Sequence, residues 1–294
     1  MSVTAFHSRI PGDYLMLRNI LIRFLRFGFR VWPFMHGRGW ILRAAKLFLG
    51  FGPVRFDIGR GTFIEGPLSD WVIVWTFMRG HERDTPFQKS LALLQPGDVA
   101  IDAGANLGVW SLLAAERGAR VEAFEPVPAM AARLRAHIES NRAPVTVHPF
   151  ALGAEQTTLP FFAVPDGNTG ASSLARHHEA SVETQVDVVP LDEVLDRAGF
   201  LKVDVEGAEI LVFRGARRLL SSDAAPIVFF EVVDRFCRDF GTTASGVKQF
   251  LTDCGYGIYR WDGRRFTAVD VNESHEQEDL FALKPRHMAR MAQQ

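Results

Sequence analysis

The chain has 294 residues, 47% hydrophobic and 23% charged, which is enough to bury a real core and excludes an intrinsically disordered or fibrous protein. Its net charge of −1 is unevenly divided: residues 1–60 carry ten Lys/Arg against Asp13 and Asp57, an excess of +8 that leaves −9 on the rest. That acidic body argues against nucleic acid as a partner.

Cys237 and Cys254 stand in no CxxC or Cys/His ligand spacing, which argues against a disulfide framework or structural zinc and fits a reducing cytoplasm. The N-terminus lacks the pattern of a secretory signal, and no charge-free apolar run reaches the ~18 residues of a membrane span.

The first predicted element is a basic amphipathic helix over Arg18 to Trp32. At helical spacing Asn19, Arg23, Arg26 and Arg30 share one strip, and Ile20, Leu21, Phe24, Leu25, Phe27 and Trp32 fill the rest. Trp40 to Phe51 repeats the mixture. Residues 1–60 are therefore expected to form a helical extension and 61–294 the main domain. The extension has two readings: burial against protein, in the same chain or in a homo-oligomer, or contact with an anionic membrane face through residues 14–51, which would make the protein peripheral on that membrane.

From Asp98 onward short apolar runs alternate with helical patterns, which predicts parallel strands joined by crossover helices. The expected strands are Val99 to Ala103, Arg120 to Phe124, Val145 to Phe150, Phe200 to Val203 and Ile227 to Val232. Helices are expected over Val109 to Arg117 and Pro128 to Ser140. Gly257 to Trp261 and Leu280 to Leu283 read as strands of an antiparallel C-terminal hairpin around the turn Asp262-Gly263. The fold class is thus α/β, a Rossmann-like, mostly parallel sheet.

Ligands of such sheets sit beyond the carboxyl ends of the strands. The turn Asp102 to Gly108, DAGANLG, follows the first of these strands. Gly104 and Gly108 are expected to let backbone approach a ligand, Asp102 to meet an ammonium group directly or through water, and Asn106 to bridge backbone and ligand. Glu125 ends the next strand, where a carboxylate can accept both ribose hydroxyls. NAD is the competing cofactor, but GANLG lacks the central glycine of GxGxxG. A non-catalytic module that binds cofactor or membrane is the third reading.

In order and spacing, DVAIDAGANLGVWSLLAA, FEPVP, FALG, VPLDEVL, LKVDVEGAEILVFRGARRLL and IVFFEV resemble the FkbM-type S-adenosylmethionine-dependent methyltransferases over roughly Gly80 to Pro285. KVDVEGAE at Lys202 to Glu209 is the most specific element, and GNTGASSL at Gly167 to Leu174 is similar to the family's loop after the third strand. The resemblance implies the class I methyltransferase plan and O-methylation of a glycan, lipid-linked or natural-product acceptor. It also implies that His81 and Glu82 belong to the site entrance, Glu82 toward the cofactor and His81 toward the substrate, with Asn168 and Ser172 on the substrate side.

Methyl transfer needs an acceptor oxygen aligned with the methyl group and a late proton acceptor. Asp204, Glu206 and Glu231, at the ends of the last two parallel strands, are the expected catalytic carboxylates, while Glu209 is expected to cap a helix. Ala151 and Leu152 are expected beside the adenine ring. His177 and His178 are weighed as bases and set aside as solvated. Mg²⁺ is compatible with the carboxylates but not expected, because two acidic loop residues supply few ligands.

Overall fold

The computed structural model describes residues 20–25, 27, 43, 52–79, 84–164, 168–177, 179, 181–273 and 275–291. Residues 20–25 and 27 are helical, as the spacing predicts. Their apolar arc is split: Ile22 and Leu25 enter the core, whereas Ile20, Phe24 and Phe27 are 52%, 71% and 59% exposed. The rest of the Arg18–Trp32 helix and nearly all of the second stretch lie outside the described residues. No helix among the described residues is long and apolar enough to cross a membrane.

Strand β1 (Pro53–Asp57) pairs antiparallel with β2 (Phe63–Pro67). The expected domain boundary at residue 60 falls inside the turn of this hairpin. Helix α1 (Trp71–Arg79) and helix α2 (Pro86–Ala92) follow. In α2, Pro86 sits in the first turn and the Thr85 hydroxyl accepts the Gln88 N–H at 3.2 Å, a capped start.

The alternating region then builds the main sheet in the expected order. It comprises β3 (Val99–Ala103), α3 (Val109–Glu116), β4 (Arg120–Phe124), α4 (Pro128–Asn141) and β5 (Val145–His148). Next come β6 (Ala151–Leu152), β7 (Thr157–Ala163) and β8 (Val182–Val189), which form a separate three-stranded sheet. After the short α5 (Leu191–Val194) the chain returns through β9 (Phe200–Val203), α6 (Glu209–Gly215), α7 (Arg217–Ser221) and β10 (Ile227–Val233). It closes with α8 (Asp234–Cys237), α9 (Ala244–Asp253), β11 (Gly257–Trp261), β12 (Phe266–Ala268), β13 (Gln277–Leu283) and α10 (Pro285–Met291).

The eight strands lie in the order β12-β11-β13-β10-β9-β3-β4-β5. Strands β5, β4, β3, β9 and β10 are parallel, and β13 is antiparallel to both β10 and β11. This is the class I methyltransferase plan. The expected terminal hairpin needs one correction. The turn at Asp262-Gly263 leads from β11 into β12, while the later strand inserts between β10 and β11.

Successive strand residues serve opposite faces, so Ala100, Phe200 and Phe229 join one buried cluster and Ile101, Leu201 and Phe230 the other. Burial on both faces is why these strands read as continuous apolar runs. From β3 the chain steps outward to β4 and β5, then crosses back to β9 and β10 on the other side. The crevice at the carboxyl ends of β3 and β9 is thus the topological switch point.

Candidate active site

A cavity of about 550 Å³ opens at that switch point. Its wall includes Gly104 and Asn106 after β3, Glu125 after β4, Ala151 and Leu152 of β6, Asn168 and Ser172, Asp204 and Glu206 after β9, and Glu231 of β10. Most of the residues singled out in the sequence therefore face one space. His81, Glu82 and His178 lie outside the described residues.

On the β3 side the cradle is built from backbone. Gly104 has φ 78°, and a Cβ there would lie 1.9 Å from the Asp204 carbonyl oxygen. Gly108 has φ 84° and lies over Leu134, off the cavity wall. Left-handed backbone and close packing of protein on protein require glycine at both positions, and Gly104 also lines the cavity. Helix α3 begins at Gly108 without a side-chain cap, which leaves first-turn N–H groups for an anionic group.

Glu125, 5% exposed, accepts the Asn106 N–H at 2.8 Å and the Val127 N–H at 2.9 Å, one on each oxygen. Burial pushes its carboxyl up to about 7 against those two hydrogen bonds. Asn106 donates from Nδ2 to the Thr169 carbonyl at 3.0 Å, while its Oδ1 is buried with no protein donor. An orphaned acceptor beside a carboxylate with spare lone pairs suits a ligand rich in N–H and O–H groups, as a nucleoside-bearing amino acid is.

Asp102 departs from expectation. Its carboxylate is fully buried beneath the cavity, accepts the Ser111 hydroxyl at 2.6 Å and pairs with Lys202 Nζ at 3.0 Å. It is not on the wall, because β3 turns it inward, so it supports the cradle rather than meeting an ammonium group directly. Lys202, which the sequence reading passed over, also lies 3.3 Å from Asp204 and donates to the Gly104 carbonyl at 3.0 Å. Its position inside a parallel strand was the available signal, since a lysine there must find charge partners.

On the β9 and β10 side, Asp204, Glu206 and Glu231 each bring an oxygen within 4.8 Å of the others. Crowded carboxylates resist ionising together. Burial, then Asp204 and Glu209, push Glu206 up to about 8; burial, then Asp204, Asp279 and Glu206, push Glu231 up to about 9. Asp279 pairs in register with Glu231 across β10 and β13 and also lines the cavity, a neighbour that only strand pairing discloses. Gln277 donates to Glu231. The three oxygens could receive a divalent cation, although two or three carboxylates with no other fixed ligand match Mg²⁺ only with several waters.

Glu206 itself has φ 53°, a left-handed conformation that costs about 1–2 kcal/mol outside glycine. Gly207 follows at φ 103°, where a Cβ would strike Phe236 at 2.7 Å. Glu209 receives the Gly207 N–H at 3.0 Å, the capping role expected of it, and burial pushes it up to about 7.

The loop after β7 covers the cavity. Thr169 donates to Asp70, which also accepts the Val72 N–H and pairs with Arg133 at 3.0 Å. Ser172 spends its hydroxyl within the loop, donating to the Thr169 carbonyl and accepting the Val164 N–H, both at 3.0 Å. It reaches the wall but shapes the cover first. Asn168 lies beside it at the start of a short 3-10 turn.

Known proteins match part of this chain. Methyltransferase 1 of Beauveria bassiana is 31% identical over 39% of this chain and 57% of its own length. The 31-O-demethyl-FK506 methyltransferase FkbM of Streptomyces tacrolimicus is 30% identical over 42% of this chain and 60% of its own. The chain thus spans about three fifths of the length of these relatives. Among solved structures, precorrin-6y C5,15-methyltransferase of Geobacter metallireducens is 17% identical with a TM-score of 0.40, covering 67% of this chain and 87% of that one. Residues 102–258, from the turn that opens the cradle to the strand beyond β10, match the Methyltransferase FkbM domain. With more than half of its length in that match, the chain belongs to the FkbM methyltransferase family.

Proposed function

We propose that this chain transfers a methyl group from S-adenosylmethionine to a hydroxyl oxygen of a glycan, lipid-linked or natural-product acceptor. The observation that carries this reading is one cavity with two different walls: a glycine turn with Glu125 and the orphaned Asn106 Oδ1, and opposite it the clustered Asp204, Glu206 and Glu231. The Streptomyces relative, named for a 31-O-demethyl substrate, supports oxygen as the receiving atom.

The bound cofactor supplies an electrophilic methyl group. Glu125 would accept the ribose hydroxyls, Asn106 Oδ1 would take a donor, the start of α3 would receive the methionine carboxylate, and Ala151 and Leu152 would line the adenine subsite. Asp204 and Glu206 orient the acceptor hydroxyl. Transfer would form the O–CH₃ bond as the methyl–sulfur bond of the donor breaks and leaves a neutral thioether, and the hydroxyl proton would pass to a clustered carboxylate that is ionised. Activity is expected to survive chelation.

Calorimetric titration with S-adenosylmethionine and separately with NADH tests the cofactor. Labelled methyl transfer into an extract of cells lacking the protein tests the reaction, with a product heavier by one CH₂. Binding of NADH alone would replace this reading with a dehydrogenase, and cofactor binding without any transfer would leave a non-catalytic module.

A second reading concerns location. The outward Ile20, Phe24 and Phe27, beside the exposed Arg23 in a segment carrying +8, favour attachment of the extension to an anionic lipid surface. Sedimentation with phosphatidylserine vesicles, lost on Phe24→Glu, tests it. Loss of self-association on that substitution, without lipid binding, would assign the face to a homo-oligomer instead.

A further inference from the structure

His177 is one of the two histidines that sequence reading set aside as solvated. In the structure its side chain is 6% exposed and stacked on Phe236, with ring centroids 4.0 Å apart. Its Nε2 lies 3.0 Å from the Glu206 carbonyl oxygen. A carbonyl only accepts, so Nε2 carries the hydrogen and donates. Nδ1 faces Asp239 Oδ2 at 3.3 Å, which holds the other edge of the ring.

The same Glu206 carbonyl accepts the hydroxyl of buried Ser173 at 2.8 Å. Two donors from one loop therefore converge on the backbone of a residue whose φ is 53°. The Cβ and main chain of Phe236 also pack where a Cβ on Gly207 would sit, so the residue whose ring backs His177 also backs the turn that holds Glu206. A left-handed glutamate persists only where its surroundings over-determine it. Here the determinants are this pair of hydrogen bonds, the stacked ring behind them and the obligatory glycine that follows.

We infer that His177 is a positioning residue: it fixes the Glu206 backbone in its left-handed conformation and thereby aims the Glu206 carboxylate into the cavity beside Asp204 and Glu231. This rests on the reading of that carboxylate cluster as the acceptor wall, although the geometric part stands without it. His177 is not on the cavity wall, so its effect would reach the reaction through Glu206.

The test compares His177→Phe, which keeps the ring stack on Phe236 and deletes the donor, with His177→Gln, whose amide places a donor where Nε2 was. Crystal structures of both variants read the Glu206 φ directly, with no acceptor needed. It should turn negative in His177→Phe and stay near its present value in His177→Gln; retention of the left-handed conformation in both would overturn the inference. Labelled methyl transfer should fall by about 100-fold in His177→Phe, the scale of a 1 Å misplacement of a reacting group, and recover in His177→Gln, while affinity for S-adenosylmethionine stays within about twofold in both. Wild-type-like transfer by His177→Phe would also overturn it. If His177→Phe does not fold, Ser173→Ala removes the other donor and should move φ and transfer in the same direction. Absence of transfer by the wild-type chain would instead count against the acceptor-wall reading, and the crystallographic comparison would still decide whether His177 holds Glu206.

Discussion

Lys202 donates from Nζ to the carbonyl of Gly104 at 3.0 Å, so the strand that ends in the acidic wall is tied to the turn that opens the cradle. The same ammonium pairs with Asp102 and Asp204, and those two carboxylates hold its proton affinity above the ordinary lysine value despite burial. One cation thereby sets the spacing of the two halves of the site.

Replacing it with an apolar side chain should be costly. Lys202→Met leaves the fully buried Asp102 without its counter-charge, and breaking one partner of a buried pair typically costs about 3–5 kcal/mol. Urea denaturation measures this. A loss below about 1 kcal/mol would mean that Ser111 alone satisfies Asp102.

Glu125→Gln should weaken S-adenosylmethionine binding by at least about tenfold, or about 1.4 kcal/mol. The amide keeps the size but offers one acceptor oxygen where the carboxylate serves two backbone N–H groups and has lone pairs to spare. Calorimetric titration checks it, and an unchanged Kd would remove Glu125 from the cofactor wall.

Four carboxyls give the fold an unusual pH dependence. Glu125, Glu206, Glu209 and Glu231 are raised from 4.5 to about 7, 8, 7 and 9. Between pH 4.5 and those values the folded chain holds more protons than the unfolded one, so unfolding free energy falls as pH rises across that window. The melting temperature should therefore decline from about pH 5.5 to pH 9, and Glu231→Gln should flatten the upper part of the decline. A cationic cofactor beside these groups should expel protons as it binds near pH 8, visible as a calorimetric enthalpy that depends on the buffer.

Gly104→Ala should destabilise the chain by more than about 4 kcal/mol, the range left to severe backbone conflicts. The added methyl would meet the Asp204 carbonyl at 1.9 Å and demand a left-handed alanine. Thermal melting decides this, since a mild effect would show that β3 and β9 can separate.

The parallel strands were legible because they are buried on both faces: VAIDA, RVEAF and FLKV have the residue bounds that their apolar runs mark out. What escaped was structure defined by pairing. Nothing local marks Gln277–Leu283 as a strand that inserts between β10 and β11, or Phe266–Ala268 as the partner of β11. The site followed the same division. Asp204, Glu206 and Glu231 were visible as polar residues at strand ends, whereas Lys202 and Asp279 take their importance from neighbours nearly a hundred and about fifty residues away in sequence, respectively. What stayed hidden at Asp102 is its partner, because the lysine that engages it lies on another strand.

The cover loop is fastened to both sides of the cavity, through Thr169 to Asn106 and Asp70 and through Ser173 and His177 to Glu206. Thr169 is held by Asn106 on the cofactor side, and eight residues later His177 is held by Glu206 on the acceptor side. A displacement that opens one fastening strains the other through the short span between them. On the proposed reading, release of the spent donor and of the methylated product would both require this one loop to move.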